Sequence, residues 1–75
     1  MDLILNEKEY AERMLELGEF NPKDLGSVIA LLTRYMYQKK YTQKEIYTNI
    51  EEFVTKVVPE FDINAWYSFI DKCIS

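Results

Sequence analysis

Seventy-five residues, 48% of them apolar, suffice for one domain around one core and are too apolar for a disordered chain. One cysteine and no histidine exclude an internal disulfide and remove the commonest general base and metal ligand. The net charge of −4 conceals a basic middle, because residues 1–24 sum to −4, residues 25–48 to +3 and residues 49–75 to −3.

One local pattern occurs four times. An apolar residue precedes a small polar one, and a second apolar residue follows four positions later: Leu5-Asn6…Tyr10, Phe20-Asn21…Leu25, Tyr41-Thr42…Ile46 and Phe61-Asp62…Trp66. Each reads as a helix N-cap inside a hydrophobic staple. The pattern predicts an all-α fold, a compact bundle of four short helices over about 7–17, 22–38, 43–57 and 63–74, in a single domain spanning 1–75.

In chain order, Asn6 is the expected cap of the first helix, with Glu9 completing a capping box. Tyr10, Met14 and Leu17 form its predicted inward stripe with Ala11 beside it, and Gly18 is placed to end it. Glu7, Glu9, Glu12, Arg13 and Glu16 are then a solvated outer face. The second helix takes Asn21 as cap and Pro22 at its first position. Leu25, Val28, Ile29, Leu32, Tyr35 and Met36 make its apolar stripe. Gly26 either admits a close neighbour or marks a break before a second cap at Ser27.

The third helix opens on a full capping box, Thr42 with Glu45, and closes before Pro59. Ile46, Ile50, Phe53, Val54 and Val57 form its stripe. The fourth helix differs. Ile63, Ala65, Trp66, Tyr67, Phe69, Ile70, Cys73 and Ile74 cover more than one face, which points to a helix shared with a partner, since a fully central helix is hard to arrange in so short a chain. The expected core is Met14, Leu17, Leu25, Val28, Ile29, Leu32, Tyr35, Met36, Ile46, Ile50, Phe53, Val54, Trp66 and Ile70.

No catalytic or cofactor signature stands in this chain, and the expectation is a protein that is not an enzyme and needs no cofactor and no metal. Cys73 lies among apolar neighbours with neither a basic cluster nor a histidine to activate it, Lys72 pointing elsewhere. The leading expectation is a protein-interaction module that binds and regulates a larger cytoplasmic machine, with a protein partner or a second copy of the chain. Tyr67 and Phe69, about 200° apart on the helical wheel, are its candidate partner contacts, with Tyr37 and Tyr47.

The alternative is a nucleic-acid accessory module. Between residues 34 and 47, Arg34, Lys39, Lys40 and Lys44 alternate with tyrosines that could stack on bases. Helices two and three do not make a convincing helix-turn-helix. Their turn lacks glycine, and helix three becomes acidic at Glu51 and Glu52 after Gln43, Lys44 and Asn49. The opening Met1-Asp2-Leu3-Ile4-Leu5 carries an acid where a signal peptide needs a base, and no apolar run approaches the ~20 residues of a membrane span. A cytoplasmic protein with no membrane partner is expected.

The helix pair LLTRYMYQKKYTQKEIYTNIEEF, then Pro59, then the closing DINAWYSFIDKCI helix resemble the small helical C-terminal domain of phage and plasmid primases. The likeness spans Ser27–Ile74 and rests on helix order and on a basic turn followed by a Thr-x-x-Glu cap. It implies a phage or mobile-element accessory module and transfers no functional residue.

Overall fold

The computed structural model describes residues 5–74, with side chains from residue 7 onward. Among them are four α-helices: α1 (Leu5–Leu17), α2 (Leu25–Gln38), α3 (Gln43–Val57) and α4 (Tyr67–Ile74). Single 3-10 turns, Pro22–Asp24 and Ile63–Trp66, lead into α2 and α4. The all-α reading therefore holds, with two of the four helices opening as tighter turns.

Local chemistry explains most boundaries. Gly18 at φ 71° ends α1, its N–H bonded 2.8 Å from the Met14 carbonyl. Asn21 Oδ1 accepts from the Lys23 N–H at 3.0 Å, and Pro22 opens the first 3-10 turn. The Thr42–Glu45 box is complete, with Glu45 N–H donating to Thr42 Oγ1 at 3.1 Å and Thr42 N–H to Glu45 Oε1 at 2.8 Å. Asp62 Oδ1 accepts from the Asn64 N–H at 3.0 Å. Of the four staples, Phe61 and Trp66 make direct ring contact at 6.3 Å. Phe20 stacks instead on Phe53 of α3 at 5.6 Å. The Leu5-Asn6…Tyr10 staple lies outside the described side chains, and Asn6 stands within α1 rather than before it.

Helix α2 is the centre of the fold and packs on α1, α3 and α4. Val28, Ile29, Leu31, Leu32, Thr33 and Met36 are all buried, which covers roughly 200° of the wheel. The helix buried over the widest arc is thus α2 rather than α4, and the rest of its circumference still meets solvent, since a fully central helix is hard to arrange in so short a chain. Three short helices and the 3-10 turn before α2 are enough to cover one face and both flanks of a helix of 14 residues. Gly26 has no atom within 4 Å of where a Cβ would stand, so no neighbour approaches there. The helix proper begins one residue earlier, after Asp24, and Ser27 is no second cap.

Several core assignments change, and Leu25 and Tyr35, expected inside, are only partly buried. Leu17, expected inside, is 65% exposed, and Tyr10 of the same predicted stripe is 61% exposed. Helix α1 presents Ala11 to the core with Met14 and Leu15 on either side. The small Ala11 side chain allows close approach, and polar bonds from Arg34 to Glu7 and from Tyr35 to Glu12 accompany that rotation. Trp66 is half-buried at the edge of the core, and Ile63 and Ile70 occupy the central positions expected for it. Leu31 and Ile63 join the core unpredicted.

Candidate functional site: the surface of α4 and the basic end of α2

The α4 surface is built from a line of rings. Asp62 caps the turn that carries Trp66, and Phe61 packs on Trp66 from the chain before it. Phe69, one turn further on, meets Trp66 edge to face, with centroids 5.2 Å apart at 89°. Tyr67 turns the other way and packs on Tyr47 of α3, with centroids 4.4 Å apart. The divergence of Tyr67 and Phe69 expected from the wheel is what the fold displays, and each remains 36% exposed.

Tyr47 also fixes the junction of α3 and α4. Its hydroxyl donates to Asp71 Oδ1, which accepts a second bond from Gln43 Nε2 at 2.6 Å. The hydrogen bond to Asp71, then desolvation, pushes the Tyr47 phenol up to about 12. Tyr47 is therefore half-buried and engaged, whereas Tyr37 is 48% exposed on α2. The four tyrosine and phenylalanine candidates divide between two places: Tyr47, Tyr67 and Phe69 around α4, and Tyr37 near the end of α2.

The basic candidates divide as well. Arg34 is half-buried and pairs with Glu7 of α1, Nη2 to Oε2 at 3.1 Å. The adjacent Tyr35 hydroxyl donates to Glu12 at 3.0 Å. Burial, followed by that bond and the Glu12 charge, raises the Tyr35 phenol. Two acids assigned to a solvated outer face thus tie α1 to α2, and Arg34 is committed to one of them. Lys39, Lys40 and Lys44 are exposed. The Lys39 ammonium lies 5.6 Å from the centroid of the Tyr35 ring, and Lys40 occupies the left-handed region at φ 70°.

Cys73 is a half-buried free thiol. Burial raises it, with the Arg34 charge partly opposing that effect, so it remains a thiol at neutral pH. The sequence around it has neither a basic cluster nor a histidine, and the charge that acts on it is that of Arg34 on another helix. No group of three or more His, Cys, Asp or Glu side chains converges as a metal site among the described residues. No helix among them is long and apolar enough to cross a membrane. No protein-family model matches the chain, and neither does any curated protein or solved structure.

Proposed function

We propose that this chain is a small non-enzymatic interaction module that binds and regulates a larger cytoplasmic protein machine through the aromatic surface of α4. The observation that carries the reading is the exposure of Tyr67 and Phe69 on rings already held by Tyr47 and Trp66. Large side chains fixed before binding lose little entropy on contact, the property of a binding anchor. The primase-like helix order adds a phage or mobile-element setting to the proposal. The decisive experiment is affinity capture from the host cell with and without nuclease. A specific protein should be retained after nuclease and lost with Tyr67→Ala or Phe69→Ala. Retention by both variants sinks the reading. Self-pairing through this face is tested by light scattering at high concentration, where a sharp monomer ends that version.

A second reading has one observation in its favour: Lys39, Lys40 and Lys44 are exposed around the turn that joins α2 to α3. A nucleic-acid accessory role there predicts binding that weakens steeply with salt. It must do without a free Arg34, which is paired with Glu7. No band shift at low salt in a mobility titration would end it.

A further inference from the structure

The two most exposed large apolar side chains of the described surface do not belong to α4. They are Leu17 and Tyr10, seven residues apart on α1 and so about 10 Å apart along its axis. Between them runs an open groove of about 150 Å³, lined by Tyr10, Arg13, Met14, Leu17, Glu19 and Phe20. Its walls are largely set before anything binds. Met14 is anchored in the core, and Phe20 is stacked on the core residue Phe53. Exposed Glu19 stands in the groove beside Arg13, exposed Glu9 and Glu16 lie one turn to either side of Arg13 just outside it, and the segment 1–24 that carries the groove sums to −4.

We propose that this groove docks a basic amphipathic helix of a partner protein. An i, i+3, i+4, i+7 row of apolar side chains has the spacing to engage Tyr10, Leu17 and Phe20 along one face. Lysine or arginine beside that row would meet Glu9, Glu16 and Glu19, giving attraction where a neutral helix gives none. Charge also decides against a second copy of the chain. An α1-to-α1 pairing would set the same acidic rim against itself. The site is independent of the α4 surface, so either can fail without the other.

The test uses the full chain and a model helix with leucine at i, i+3, i+4 and i+7 and lysine elsewhere, together with the same peptide carrying glutamate for lysine. Amide shifts on adding the lysine peptide should map to residues 10–20, and affinity should fall about tenfold in Leu17→Ser and in Tyr10→Ser. Both residues are exposed, so circular dichroism should report an unchanged fold. Arg13→Glu should tighten binding, Tyr67→Ala should leave it unchanged, and the glutamate peptide should not bind. Shifts centred elsewhere, equal binding of the two peptides, or full affinity in Leu17→Ser would overturn the proposal. A concentration-dependent dimer abolished by Leu17→Ser would also overturn it, assigning the groove to a second copy.

Discussion

Thr33 is fully buried in the middle of α2, and its Oγ1 has no hydrogen-bond partner. An unsatisfied buried hydroxyl costs free energy that an apolar group of the same shape does not. Thr33→Val should therefore stabilise the protein by about 1 kcal/mol, read as a higher urea midpoint with an unchanged slope. Nothing in the sequence marks this residue as buried, since a threonine between Leu32 and Arg34 looks like part of an outer face. Tyr47 makes the opposite case, a polar group whose partner stabilises it. Its phenol is raised to about 12, above the ordinary value of 10.0, so the native state holds the proton more tightly than the unfolded chain. That contribution is fully present below pH 10 and is lost as pH rises towards 12. Denaturant titrations should show a smaller loss of stability across that window in Tyr47→Phe than in the wild type. Tyr35, raised in the same direction, remains in both proteins.

Helix ends follow from residues close in the chain, and here local reading and structure agree best. The range expected for α3 is the range observed, because its cap box at Thr42 and its stop before Pro59 are both local. The end of α2 is the exception. Tyr41 N–H bonds the Met36 carbonyl at 3.1 Å and Lys40 N–H bonds that of Tyr37 at 3.0 Å, the pairing in which glycine usually takes the left-handed position. Lys40 takes it instead, at φ 70°, with the steric cost of a Cβ there. Lys40→Gly should raise stability by about 0.5–1 kcal/mol, checked by thermal unfolding. The same substitution tests the nucleic-acid reading, because it removes one of the exposed cations. The rotation of α1 was not legible. Tyr10-Met14-Leu17 and Ala11-Met14-Leu15 are both acceptable apolar rows that share Met14, and the second is the one that packs on α2, with Arg34 and Tyr35 reaching Glu7 and Glu12 beside it.

At the scale of the whole molecule, α2 is the hub, and a chain of this length has only a few kcal/mol of stability to lose. Leu32, fully buried at that hub, should cost about 3 kcal/mol when cut to alanine. That is enough to populate the unfolded chain, measurable as a collapse of the cooperative transition. Leu17→Ala, at a position whose spacing alone points inward, should cost no more than about 0.5 kcal/mol because the side chain lies outside the core. The radius of gyration, 11.3 Å, matches the value of about 11 Å for a compact chain of 75 residues, so there is little interior to share. Helix number, most caps and the candidate aromatics on α4 could be read directly, because caps, stops and apolar spacing act over a few residues. Which helix lies at the centre, which row of α1 turns inward and which charges are already paired depend on side chains more than twenty positions apart. Those outcomes exist only once the helices have packed, and they move the exposed apolar surface from α4 alone to α4 and the groove of α1.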